Sequence, residues 1–296
     1  MYGYSFPDLN KWFIANSYVV HNECELIEIN MIQNLSQEII DEFCKEFAIY
    51  ICSLRCPTKE LFDNMVDAIN GNNPLSEEDK SILRSIFSNG FISKKTYLET
   101  LDYLQSFDED GIKGYFGETL YYLIRGRYAK DIKISIEPEI PKTLSKNSGI
   151  DFLEIRKDFD GYYFIVGEVK TTENSYSTRS EEVADTFLNR INENFSDMFL
   201  TLQGRDDKSD TEYTKFLEEM TSIFYRFYHD SDKKRLSGVF NYNFAGKRIN
   251  SNAFSTWKDK PFEINNNPVC RKIKLIGIYN IETVIEKVRD LLWNVL

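Results

Sequence analysis

Apolar residues recur along this chain with two periods, and the change from one to the other organises it. A β-rich stretch, "SYVVHNECELIEI" (17–29), comes first, and helical patterns follow. In "NLSQEIIDEFCKEFAIYICSL" (34–54), Ile39, Ile40, Phe43, Phe47 and Ile51 recur close to the helical period. Asn34 followed by Gln37 has capping-box spacing. "PTKELFDNMVDAING" (57–71) predicts a helix opened by Thr58 and closed at Gly71. "LSEEDKSILRSIF" (75–87) opens with Ser76 and carries acids in its first turn, where the helix dipole favours them. "KKTYLETLDYLQSF" (94–107) is the next helical pattern, and "FDEDG" (107–111) breaks it.

Beyond that break the elements alternate. "GYFGETLYYLIRGRY" (114–128) reads as a helix and "DIKISIEPEI" (131–140) as a strand. "GIDFLEIRK" (149–157) and "YYFIVGEVK" (162–170) are strands flanking Asp160-Gly161, a strong hairpin signal. Two helical patterns (180–195 and 211–228), strands at 236–244 and 271–281, and a terminal helix at 282–296 complete the series. The expected organisation is an acidic, mostly helical N-terminal region over 1–110 and an α/β domain over 111–296.

Charge supports that division. Residues 1–110 hold 19 acids and 8 bases, whereas 111–296 hold 28 of each, so the whole net charge of −11 lies in the first part. An acidic chain does not bind phosphate backbones by bulk charge. The first part is therefore expected to dock or restrain a partner, and its removal to leave a soluble second part. No window approaches 18 uninterrupted apolar residues, and "MYGYSFPDLNKWF" lacks the basic and apolar regions of a signal peptide. The expectation is a cytoplasmic protein with no membrane span. Five cysteines (24, 44, 52, 56, 270) and two histidines (21, 229) form no metal-binding spacing, and buried reduced thiols are expected.

Candidate chemistry gathers at the hairpin. With Asp160-Gly161 as a two-residue loop, Phe159 pairs with Tyr162, which sets Lys170 opposite Asp151 and Glu168 opposite Leu153. Asp151, Glu168 and Lys170 then emerge on one face at one end. Two carboxylates so placed can share a hard divalent ion, and an adjacent ammonium can orient a water toward a phosphate. The bare acid-any-lysine pattern recurs at Glu78–Lys80, Asp131–Lys133, Asp206–Lys208 and Asp232–Lys234. Only Glu168–Lys170 ends an apolar strand whose hairpin mate brings an acid. The bland alternative is a solvated strand end with a weak ion pair.

"GYFGE" on a helix, then "SGID", then "EVK" closing the next strand, resembles the PD-(D/E)xK nuclease superfamily. The residue before the aspartate is Ile150, where many members carry proline. The resemblance spans roughly 111–280 and implies a restriction-endonuclease-like αβββαβ core. It implies metal binding by Asp151, Glu168 and the Val169 main-chain carbonyl, water positioning by Lys170, and assistance from Glu118 as an additional metal or water ligand. It implies Mg²⁺ or Mn²⁺ as cofactor and DNA as substrate. The phrasing "FGETLYYLI", "PKTLSKNSGIDFLEI" and "GEVKTTENS" is also similar to nuclease subunits of Hachiman-type anti-phage defence systems, which implies a helicase partner. Lys142, Lys146, Arg179 and Arg190 are candidate phosphate contacts, as are the clusters "DKKRL" (232–236) and "CRKIK" (270–274). Two other readings stay open: a stand-alone restriction or repair endonuclease, and a catalytically silent binding module on the same fold.

Overall fold

The computed structural model describes residues 3–20, 24–91, 109–125, 132–133, 151–158, 161–172, 234–243, 263–264, 267–268 and 270–296. The first helix, α1 (Gln37–Arg55), is capped by Ser36, whose Oγ accepts from the Ile39 N–H at 3.4 Å. Asn34 does not supply that cap. It takes a left-handed φ of 61° two residues earlier, a conformation its short polar side chain tolerates. The helix α2 (Lys59–Ile69) starts at Thr58, whose Oγ1 accepts from Leu61 N–H at 3.2 Å, as its sequence predicts. Gly71 follows it with a φ of 75°, where any Cβ would be strained. In α3 (Glu77–Phe91), Ser76 Oγ accepts from Asp79 N–H at 3.1 Å. The pattern at 94–107 lies outside the described residues.

The fourth helix, α4, spans Glu109–Ile124 and so begins five residues before the expected start. The "EDG" of the apparent break forms its first turn, because acids are favoured at a helix N-terminus and Gly costs little there.

The strands are β1 (Phe13–Val20), β2 (Cys24–Met31), β3 (Ile132–Lys133), β4 (Phe152–Asp158), β5 (Gly161–Thr172), β6 (Lys234–Asn243) and, after the short pair β7 (Glu263–Ile264) and β8 (Asn267–Pro268), β9 (Cys270–Ile278). A terminal helix, α5 (Ile281–Trp293), follows. One seven-stranded mixed sheet has the order β1-β2-β9-β6-β5-β4-β3. β1–β2, β3–β4 and β4–β5 pair antiparallel, whereas β5–β6, β6–β9 and β9–β2 pair parallel. The fold is thus mixed helix and strand.

The division expected near residue 110 does not separate two cores. β2 pairs directly with β9, and α1 packs against α5. Phe47 on α1 meets Phe116 on α4 edge-on, with ring centroids 5.1 Å apart. Trp12, Phe13, Phe43, Phe116 and Trp293 are buried in the same cluster as Ile165 and Val169 of β5. Among the described residues, no helix is long and apolar enough to cross a membrane.

Candidate active site

The hairpin forms, but two residues out of the expected alignment. Asp158 pairs with Gly161, Lys157 with Tyr162, and the ladder ends at Phe152 with Gly167. A shift of two keeps every side chain on its face, so alternation of apolar residues cannot reveal it. Its consequence is chemical. Asp151 now stands alongside Glu168 rather than Lys170. Its N–H donates to the Gly167 carbonyl at 3.0 Å, and its Oδ2 accepts from the Val169 N–H at 2.6 Å. Those two bonds bracket Glu168.

Glu168 and Lys170 are two apart on β5 and share a face. Lys170 Nζ donates to Glu168 Oε1 at 2.6 Å. Glu168 is only 4% exposed, and Lys170 is partly exposed. Val169 between them turns the other way, into the main core. The alternative of a solvated strand end therefore does not describe Glu168, whose ion pair sits at a buried carboxylate.

Glu118, on α4 against β5, joins the cluster electrostatically. Burial, then the charge of Glu168, pushes its carboxyl up to about 7, against the opposing pull of Lys170 and Arg55. Asp151 is raised well above the usual carboxylate range by burial and then by Glu168 and Glu118. The Val169 N–H and Lys170 act against that rise without cancelling it. Three carboxylates thus share a poorly solvated space with an ammonium.

This charge imbalance is what a hard cation relieves, and oxygen donors are the ligands it prefers. Among the described residues, no three His, Cys, Asp or Glu side chains form a ready-made metal cage. Mg²⁺ does not need one, since it retains several waters and takes one or two carboxylates plus substrate phosphate oxygens. Asp151 and Glu168 fit that role, with Glu118 on the helix packed against β5.

Sequence reasoning missed Arg55, the last residue of α1. Its Nε donates to the Tyr115 hydroxyl at 2.7 Å, and the guanidinium lies 5.0 Å from the centroid of that ring. A helix-terminal arginine more than sixty positions from Glu118 carries no local signal. Lys274 is a correction in the other direction. Far from being a surface contact of "CRKIK", it is 7% exposed, with Nζ donating to the Tyr121 hydroxyl at 2.5 Å. Lys142, Lys146, Arg179, Arg190 and His229 lie outside the described residues, as does the Asp160 of the expected turn. Cys44, Cys52 and Cys56 are buried free thiols, as composition suggests. Compared with known proteins, the chain matches no family model and no curated sequence.

Proposed function

We propose that this chain is a metal-dependent nuclease that hydrolyses phosphodiester bonds in DNA. One observation carries the reading: Asp151 brackets Glu168 through bonds to Gly167 and Val169, while Lys170 is ion-paired to the same buried glutamate. Burial of two adjoining carboxylates with one lysine is costly unless a cation or substrate uses them. The order helix, three antiparallel strands, then a parallel strand supports the resemblance to PD-(D/E)xK nucleases.

In this reading Asp151 and Glu168 would hold Mg²⁺ or Mn²⁺, with Glu118 and the Val169 carbonyl available to complete the set. The bound ion would supply charge stabilisation at the phosphate and make water nucleophilic near neutral pH. Lys170, fixed by Glu168, holds the attacking water in line with the phosphorus. The water oxygen forms the new P–O bond as the bond to the leaving sugar oxygen breaks. The Asp151–Val169 bond ties one carboxylate oxygen to the backbone and leaves the other as the candidate ligand atom. Action in anti-phage defence beside a helicase is part of this proposal, resting on the resemblance alone.

The test is degradation of plasmid and linear DNA with Mg²⁺ or Mn²⁺ by wild type, Lys170→Ala and Glu168→Ala, each with and without a co-purified partner. Loss of cleavage in both variants supports the reading. Equal cleavage in all three overturns it.

A further inference from the structure

We propose that Arg55 is a substrate-binding residue of this site, presenting its guanidinium to a nucleic-acid phosphate beside the one being cleaved. The inference rests on the nuclease reading above and extends it to a residue from the N-terminal region. That region then completes the site as well as the sheet.

The geometry begins with Tyr115, buried on α4 one helical turn before Glu118. Residues three apart on a helix lie on one face, so the phenol and the carboxyl look toward the same side. Arg55 ends α1 and is half-buried against that phenol. Its Nε donates to the Tyr115 hydroxyl at 2.7 Å while the ring backs the guanidinium at 5.0 Å. Hydrogen bond and ring together hold the planar fork in one orientation, so that less rotamer freedom is lost when it meets a ligand. Through Tyr115 it therefore stands one helical turn from Glu118 on the same helix.

The chemistry requires such a group. A site built on Asp151, Glu168 and Glu118 repels a polyanion until cations offset it. Lys170, with a divalent ion when one is bound, would offset charge at the scissile phosphate, but the neighbouring phosphates approach the same negative field. A planar guanidinium binds phosphate oxygens in a bidentate manner, which an ammonium cannot do. Lys274 and Arg125 also contact tyrosines but, unlike half-buried Arg55, are themselves buried. Lys274 is bonded to Tyr121 within the core, and Arg125 is buried with its guanidinium 3.8 Å from the Tyr122 ring centroid.

The experiment compares full-length wild type, Arg55→Ala, Arg55→Lys and Lys170→Ala. Cleavage kinetics are measured in Mg²⁺, and affinity for a short labelled duplex is measured against salt in Ca²⁺. Melting temperature is followed throughout. For Arg55→Ala, KM should rise about tenfold with kcat within about threefold, the signature of lost ground-state binding. The slope of log affinity against log salt should become shallower by about 0.9, one phosphate contact fewer. Arg55→Lys should restore that slope but only part of the KM. A lower melting temperature with unchanged KM and slope would make Arg55 a strut between α1 and α4 and overturn the proposal, leaving the nuclease reading intact. Wild-type cleavage that does not depend on Lys170 would overturn both.

Discussion

Asp151 and Val169 are joined by a hydrogen bond from main-chain N–H to Oδ2 at 2.6 Å, and this bond fixes where the carboxylate sits beside Glu168. The same side chain therefore has a structural duty and a proposed ligand duty, and the two separate by substitution. Asp151→Asn retains an acceptor for Val169 but loses the charge. It should keep the wild-type melting temperature within a few degrees while lowering metal-dependent cleavage at least about a hundredfold. Asp151→Ala should lose the cleavage and also about 1–2 kcal/mol of stability, because a buried donor is left without its acceptor. Denaturant titration of both variants beside the cleavage assay decides the matter.

Glu118 gives a pH signature in chelator-treated protein. Its carboxyl is pushed from 4.5 to about 7, so between those values the folded state binds a proton that the unfolded state has released. The Glu118 contribution to stability should fall as pH rises through that window and level off above it. Glu118→Gln removes the charge and hence the penalty. The variant should match wild type near pH 4 and exceed it at pH 8 by on the order of 3 kcal/mol. Equal stability of the two proteins at pH 8 would contradict the burial-driven shift.

Lys274 should be insensitive to nucleic acid. Lys274→Met replaces a buried ammonium by a chain of similar length and should leave DNA affinity and its salt slope unchanged. Stability should stay within about 1–2 kcal/mol of wild type, since an apolar isostere often substitutes for a buried charge without loss. Lys274→Glu should unfold the protein or nearly so. A changed salt slope in the methionine variant would return this residue to the surface role its sequence context suggests.

Deletion of residues 1–105, which the acidic N-terminal composition suggests should release a soluble nuclease, is now expected to fail. It removes β1 and β2 and strips β9 of one of its two parallel neighbours. It also removes Trp12, Phe13, Phe43 and Phe47 from the core. At on the order of 2 kcal/mol for each large side chain, that loss is comparable to a whole domain's stability of about 5–15 kcal/mol. Expression of the truncated chain should yield aggregate. A monodisperse, cooperatively melting product would show that the second part folds alone.

The periodicities of this chain were legible because they are local. Thr58, Ser76 and Gly71 act on the backbone within a few residues, and the structure places each at the helix end its chemistry suits. Asn34 misled because Ser36, two positions on, offers an equally good oxygen, and only one of them sits where an N–H turns toward it. The start of α4 misled for a similar reason, since Asp and Gly favour both turns and first helical turns.

The site divides along the same line. Asp151, Glu168 and Lys170 at one end of a hairpin follow from sequence alone, because strand alternation and a short connection bring them together under any even register. Which acid faces which partner depends on a two-residue shift that alternation cannot detect, and only the paired ladder shows Asp151 beside Glu168. The approach of Glu118, the arrival of Arg55 by way of Tyr115, the burial of Lys274 and the union of the N-terminal strands with β9 join segments far apart in the chain. Such contacts depend on how apolar faces with many possible partners choose among them, and that choice is made by packing the whole core at once.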